Sequence, residues 1–395
     1  MPEAVIVDAV RTPIGRAFKG SLTQIRPDDL TAYVIDQLLE RNQDVDPASV
    51  ADVICGCGLT QWEQAYNIGR ISVLLSEKLP DSVTGATIAR YCASSLNAIQ
   101  IAADSIRAGT TDVYIAAGVE SVSRVGAFSE NIPPDPENQP VHPAMNPKLN
   151  GENGSPNPYI SMGETAENVA EKFGVKREDM DEFAKRSQDL AVASRDSGFF
   201  DREIVAVETP DKGTVDKDDG PRPGTTIEKL AELKPAFRED GTVTAGNSCP
   251  LNDGAAAVLL TSDEKAKELG LKPRARVIAS ATSGLEPEIM GVAPIGAIHN
   301  VLQKAGMTIA DVDVVELNEA FAAQVIPIME KCEIPLEKLN PHGGAIALGH
   351  PFGMTGARIM TTLLNDLETD DKQIGLETMC VAGGQGFAMI VERLN

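Results

Sequence analysis

The sequence predicts an α/β protein built from two similar halves, and three observations predict it. A strand–turn–helix–strand pattern occurs near the start and again near residue 275. Helical and strand patterns alternate throughout, which implies largely parallel sheets with helices on both faces. Glycine-rich segments fall at the strand-to-helix or strand-to-turn junctions.

The first half opens with Ala4-Val-Ile-Val-Asp-Ala-Val-Arg-Thr-Pro-Ile-Gly15, a strand followed by a turn; the second opens with Ala275-Arg-Val-Ile-Ala-Ser-Ala-Thr-Ser-Gly284. Each leads to a helix, over 28–41 and 294–305, and then to a strand introduced by Asp and Val, at 50–55 and 312–316. Cys92 and the helix after it match Gly349-His-Pro-Phe-Gly-Met-Thr-Gly-Ala-Arg358 and its helix. The strand Asp112–Gly118 matches Gly375–Gly384. This divides the chain into a first half over 1–120, completed by 249–273, an insertion over 121–248 and a second half over 274–395. Within the insertion, 133–140 and 150–158 are rich in Pro, Gly and Asn and read as irregular surface chain. Met180, Phe183, Ser187, Leu190 and Ala191 fall on one helical face that ends at Gly198. The insertion is either a lid domain that touches ligand or a surface excursion.

At 395 residues the chain is too long for one simple core. A net charge of −23 argues against a nucleic-acid or membrane-surface binder, while leaving room for a small anionic ligand beside locally gathered cations. Apolar runs are short and the N-terminus lacks a signal-peptide pattern, so a cytoplasmic protein is expected. Six cysteines in such a chain do not suggest a disulfide framework, and Cys55-Gly-Cys57 is too tight and isolated for zinc; no metal is expected.

Cys92 stands where a run of small and β-branched residues meets a helix marked by Leu96, Ile99, Ala103 and Ile106, with Gly109 as its stop. A thiol at a first helical turn feels the positive end of the helix dipole, which favours thiolate and makes Cys92 a candidate nucleophile. The same residue also reads as a small buried apolar side chain.

Four segments set the context: the Cys92 segment, Asn318-Glu-Ala-Phe-Ala322, Gly343-Gly-Ala-Ile-Ala-Leu-Gly-His-Pro351 and Cys380-Val-Ala-Gly-Gly-Gln-Gly386. Together with Arg11–Gly15, Gly118–Ser123 and Gly246–Gly254, they resemble the thiolase family, the 3-ketoacyl-CoA thiolases and acetyl-CoA acetyltransferases, over essentially the whole chain. The resemblance implies the thiolase fold: two duplicated five-stranded mixed-sheet α/β halves in α-β-α-β-α layers, with an inserted lid domain. It also implies roles. Cys92 attacks the 3-keto carbon and carries the acyl group. His350 is its base and an oxyanion donor. Cys380 is the second acid/base, and Asn318 orients a water in one oxyanion hole. The backbone N–H groups of Cys92 and Ala382 form the other, Ala382 standing where Gly is more usual.

Ser161-Met162-Gly163 replaces the His-Met-Gly of the biosynthetic branch, which favours a degradative enzyme acting on longer chains. For substrate contacts, Ser248 and Cys249 occupy the pantetheine-facing segment, where Cys249 is a weaker hydrogen-bond partner than serine. Met162 and Phe321 line the channel or are plain core. Arg222 meets the CoA nucleotide or is a solvated surface residue. His342 shapes the acyl pocket or simply sits on its loop. The expected function is a 3-ketoacyl-CoA thiolase forming acetyl-CoA and a shortened acyl-CoA in β-oxidation or related degradation. It would use acyl-CoA and CoA as substrates without a cofactor, as a homodimer or homotetramer, with room for a β-oxidation partner subunit. The alternatives are acetyl-CoA C-acetyltransferase, a decarboxylating ketoacyl synthase and a thiolase-like acyl-CoA or lipid carrier without turnover.

Overall fold

The computed structural model describes residues 2–125 and 145–395; the 133–140 segment lies outside them. Its strands are β1 (Ala4–Arg11), β2 (Gly15–Arg16), β3 (Asp52–Cys57), β4 (Thr84–Ile88), β5 (Val113–Ser121), β6 (Val207–Thr209), β7 (Gly213–Val215), β8 (Asn252–Ser262), β9 (Ala275–Gly284), β10 (Val314–Leu317), β11 (Ile374–Val381) and β12 (Gln385–Arg393). Its helices are α1 (Pro27–Arg41), α2 (Ile68–Leu75), α3 (Ser94–Arg107), α4 (Met162–Phe173), α5 (Arg177–Asp196), α6 (Ile227–Ala231), α7 (Asp263–Glu268), α8 (Pro294–Ala305), α9 (Ala322–Lys331), α10 (Ala345–Leu348) and α11 (Thr355–Thr369).

The duplication seen in the sequence is a duplication of strand pairing. In the first half the order is β4-β3-β5-β8-β1, with β4, β3 and β5 parallel and the next two pairings antiparallel. In the second half the order is β10-β11-β12-β9, again parallel at β10–β11 and antiparallel thereafter. Where the fifth strand would stand, the second half has a single parallel bridge, Val315 to Leu339. Each half is therefore a mixed sheet rather than the largely parallel one that alternation alone suggests. The reason is that β11 turns straight back into β12, and β8 returns from the insertion to lie between β5 and β1. At Val5–Arg276 and Ile6–Ala275 the two sheets join edge to edge.

Three apolar layers follow from this arrangement. Outside the first sheet, α1 buries Leu30, Val34, Ile35 and Leu38. It starts with Pro27 at its first position and Asp28 and Asp29 in its first turn, and carries Arg41 in its last, all favourable to the helix dipole. Outside the second sheet lie Ile298, Val301 and Leu302 of α8 with Val325 and Ile328 of α9. Between the sheets, α3 and α11 share one core in which Leu96, Ile99 and Ile106 meet Ala357, Met360 and Leu363. Helix, sheet, helix pair, sheet, helix gives five layers. In the insertion, α5 buries Met180, Phe183, Ser187 and Ala191, leaves Leu190 half-buried, and gives way to Gly198 at a φ of 78°.

The two central helices touch at their N-terminal turns, and small residues permit it. A Cβ on Gly356 would stand 2.3 Å from the Leu96 nitrogen, and one on Gly118 would stand 2.3 Å from the Gly353 carbonyl oxygen. Ser95 Oγ accepts the Ala357 N–H at 2.9 Å across the same seam. Gly356→Ala should therefore lower the free energy of unfolding by about 1–3 kcal/mol in a denaturant titration. An unchanged midpoint would mean that the seam is not tightly packed.

Candidate active site

Cys92 lies in a tight turn, Tyr91–Ala93, that runs directly into α3. Tyr91 takes a φ of 43°, and Ser94 fixes the turn: its hydroxyl donates to the Tyr91 carbonyl at 2.6 Å and accepts the Arg90 N–H at 2.9 Å. The turn packs against β11 and against the turn Phe352–Met354 that precedes α11. Thus the equivalent helix starts of the two halves face one another across the Gly356 seam. The Cys92 thiol is free and buried. Burial above all, then the neighbouring Cys380, Cys249 and Glu120, pushes its pKa well above the ordinary thiol range. Desolvation outweighs the helix-start effect expected from the sequence, so the resting group is a thiol, which could act as a nucleophile only by giving its proton to an acceptor.

His350 can be that acceptor. Its backbone N–H donates to Asn252 Oδ1 at 2.9 Å, which sets the turn. The Thr355 hydroxyl donates to the Pro351 carbonyl at 2.8 Å, and His350 Nδ1 is 2.6 Å from the same Thr355 oxygen. With its proton already committed, Thr355 accepts from Nδ1–H, and this leaves the Nε2 lone pair toward the site. The Asn318 amide donates to Nε2 at 3.3 Å. Burial, and then the charge of Arg358, lowers the imidazole pKa to about 3, so it is neutral through the physiological range.

Cys380 comes from the end of β11 and is wholly buried; Gln324 Nε2 donates to its Sγ at 2.9 Å. Burial raises its pKa to about 11, against the effect of that amide. Asn318 follows β10 and is tied to β11 by its N–H, which donates to the Thr378 carbonyl at 3.0 Å. Ala382 lies in the turn between β11 and β12. Its φ is not positive, unlike that of Gly383 and Gly384 beside it, so alanine fits there without backbone strain.

The residues around this centre divide. Asn247–Cys249 is strapped to the Asn318 segment: Cys249 N–H donates to the Ala320 carbonyl at 2.9 Å, Ala322 N–H donates to Asn247 at 3.0 Å, and Ser248 bridges Phe321. Ser248 spends its hydroxyl proton on the Thr244 carbonyl at 2.7 Å, and Cys249 is a half-buried thiol pushed up chiefly by burial. Met162 is half-buried against the core that holds Phe321, whose ring meets that of the more exposed Phe237 edge-on, 6.0 Å between centroids. Ser161 is the N-cap of α4, its oxygen accepting the Glu164 N–H at 3.3 Å, so a serine there has a structural reason of its own. Arg222 is exposed on the loop that Asp219 ties to the Arg16 backbone at 2.8 Å; among the described residues neither arginine has a carboxylate partner.

His342 is taken up elsewhere. Its ring stacks on Phe199 at 3.5 Å, Nδ1 lies 2.8 Å from Ser194 Oγ and Nε2 3.3 Å from Asp366. That is packing between α5 and α11. Four site-shaping residues had no role assigned from the sequence: Gln324, Asn252, Thr355 and Glu120. Glu120 accepts the N–H groups of Gly58 at 2.8 Å, Leu59 at 3.2 Å and Gly353 at 2.9 Å, so one carboxylate clamps the turn before α11 to the first sheet. Only its place in the Gly118–Ser123 segment pointed to it.

Comparison with known proteins agrees with this geometry. Residues 4–264 match the family model described as thiolase, N-terminal domain, and residues 271–393 that described as thiolase, C-terminal domain. A beta-ketoadipyl-CoA thiolase of Acinetobacter baylyi is 46% identical over 408 residues, and a 3-ketoacyl-CoA thiolase of Idiomarina loihiensis 43% identical over 402, each alignment covering 100% of both chains. The dimeric peroxisomal thiolase of Saccharomyces cerevisiae superposes with a TM-score of 0.90 at 37% identity, covering 100% of this chain and 98% of that one. The acetyl-CoA acetyltransferase of Bacillus anthracis gives 0.88 at 38%, covering 100% and 99%.

The neutral imidazole has a pH signature. An unfolded histidine takes up a proton as pH falls through its ordinary value of 6.5, whereas folded His350 does so only near 3. The stability that neutral His350 carries is complete above 6.5 and is lost as pH falls. Between pH 6 and 4, His350→Asn should reduce the slope of unfolding free energy against pH by about one proton. Equal slopes for parent and variant would contradict a buried neutral imidazole.

Proposed function

The chain belongs to the thiolase family, and from that membership we propose that it cleaves 3-ketoacyl-CoA with CoA, giving acetyl-CoA and an acyl-CoA shortened by two carbons. The observation that carries the reading is the packing of the Cys92 turn against the turn that follows His350 and against β11, whose Cys380 neighbours Cys92. A thiol, a neutral imidazole and a second thiol are the groups this cleavage requires.

In the proposed sequence His350 Nε2 gives up the Asn318 amide N–H and takes the Cys92 proton as the sulfur attacks the 3-keto carbon. The resulting imidazolium, with Asn318 beside it, and the backbone N–H groups of Cys92 and Ala382 supply donors for the two oxyanions of the reaction. The C2–C3 bond breaks, its electron pair forms the acetyl-CoA enolate, and the Cys380 S–H proton goes to C2. Acetyl-CoA leaves. The Cys380 thiolate then takes the proton of an incoming CoA thiol, whose sulfur attacks acyl-Cys92 and releases the shortened acyl-CoA, while the departing Cys92 sulfur recovers its proton from the His350 imidazolium. Side chains and CoA, as a cosubstrate, suffice for these steps.

In a chain of net charge −23, Arg16 and Arg222 are locally placed cations without an acidic partner among the described residues, which suits them to the phosphates of CoA. Ser161 in place of histidine supports degradation over condensation. Condensation of two acetyl-CoA molecules is the second reading, favoured by the likeness to the Bacillus anthracis acetyl-CoA acetyltransferase. Among the described residues no helix is long and apolar enough to cross a membrane, and a cytoplasmic setting is part of the proposal.

Acetyl-CoA release should be measured with acetoacetyl-CoA, with unbranched medium-chain 3-ketoacyl-CoA and with 3-oxoadipyl-CoA. The proposal expects kcat/KM for one of the longer substrates to exceed that for acetoacetyl-CoA; the reverse order would favour the acetyltransferase reading. Cys92→Ala should lower kcat by about a thousandfold or more on the best substrate, and full retention would exclude the mechanism. β4 is a half-exposed edge strand near the exposed Trp62 and Tyr66, which supports a homodimer through that edge. Light scattering on the purified chain should give twice its 41.9 kDa; a fourfold mass would indicate a tetramer, and a monomer would refute the assembly.

A further inference from the structure

We propose that Gln324 is a positioning residue for the second acid/base thiol: its side-chain amide aims the Cys380 sulfur and supports it while it carries negative charge. The inference rests on the role given to Cys380 above.

Three observations carry it. Gln324 is fully buried in the first turn of α9, amid the apolar layer formed by Met290, Val325, Ile328 and Leu376. An amide in such a place is costly unless its groups are used, yet Gln324 Oε1 has no partner among the described residues. What the side chain does make is one short bond, Nε2–H to Cys380 Sγ at 2.9 Å. A methionine or leucine would fill the space at lower cost, so packing alone does not account for a glutamine. Room for the side chain is also made on purpose-built terms. A Cβ on Gly291 would lie 2.9 Å from both Cβ and Oε1 of Gln324, so glycine there keeps the amide in its place.

The direction of the bond matters. An N–H donor favours a sulfur that holds an extra electron pair over a protonated one. Cys380 is such a sulfur for one interval of the cycle, from the transfer of its proton to C2 of the enolate until it takes the proton of the CoA thiol. Among the influences on this thiol, the Gln324 amide is the largest that opposes burial. Without it, Cys380 is a weaker acid toward the enolate and a freer rotor.

The test separates carbon-acid chemistry from the rest of the site. Gln324→Met should fold, as judged by circular dichroism and melting; Gln324→Leu takes its place if it does not. Acylation of Cys92 by p-nitrophenyl acetate involves no proton at carbon and should stay within about twofold of the parent. Thiolysis kcat should fall about 30- to 100-fold with KM within about threefold, and exchange of the acetyl-CoA methyl protons with D2O should fall in parallel. The proposal is overturned if thiolysis and exchange match the parent, or if ester acylation falls together with them, which would mark a structural role. Cys380→Ala, assayed alongside, keeps the two readings apart. If it retains thiolysis, the assignment of Cys380 fails; if it is inactive while Gln324→Met is not, only the role of Gln324 fails.

Discussion

Everything at this site depends on how closely two helices approach each other between two sheets. The N-terminal turns of α3 and α11 meet where Gly356 lies over the Leu96 backbone and Gly118 lies under Gly353. Cys92 lies in the turn before α3 and His350 just ahead of the turn before α11, so the spacing of the proposed nucleophile and base follows from the absence of side chains behind them. Glu120 secures the arrangement by binding backbone N–H groups on both sides of the seam, from Gly58 and from Gly353. A duplicated fold is a direct way to obtain this geometry. Each half contributes one helix start, and the pseudo-symmetric packing points them at each other.

The second consequence of the seam is dryness. Cys92, Cys380 and His350 are all buried, and burial moves each toward its neutral form. A neutral thiol beside a neutral imidazole is stable at rest and can exchange a proton only when a substrate makes charge worth forming. In the proposed mechanism stabilisation of that charge falls to fixed donors, chiefly backbone N–H groups, which act at low dielectric. The helix dipole, which from sequence promised a resting thiolate at Cys92, is the weaker effect. The acidity of the chain as a whole does not reach this centre. It bears instead on the approach of an anionic substrate, where Arg16 at the end of β2 and Arg222 on a nearby loop have no acidic partner among the described residues.

Much of this was legible in the sequence because duplication is a pattern of residues. Strand β9 and helix α8 have the bounds read from periodicity, and α1 differs by one residue at its start. The sense of the strands was less legible, since alternation cannot show that β12 turns back along β11 or that β8 returns to the first sheet. His350 and Cys380 announced themselves through glycine-rich segments, Cys92 through its place at a helix start, and Asn318 through the short Asn-Glu-Ala-Phe segment after a strand. Gln324 and Thr355 did not, because a glutamine in a helix or a threonine at a helix start is ordinary until its partner is known. His342, a conspicuous residue beside two glycines, stays open between two readings in the sequence because its packing on Phe199 is not visible there.

The central claim is that one sulfur among three neighbouring thiols carries the acyl group. The direct measurement is rapid mixing of the chain with a 3-ketoacyl-CoA in the absence of free CoA, acid quench, digestion and mass spectrometry of the cysteine peptides. The account predicts the shortened acyl group on Cys92 with Cys249 and Cys380 unmodified, and its release when CoA is added. Acyl on Cys249 or Cys380 in its place, or acetyl-CoA formed with no acyl-enzyme at any time, would contradict it.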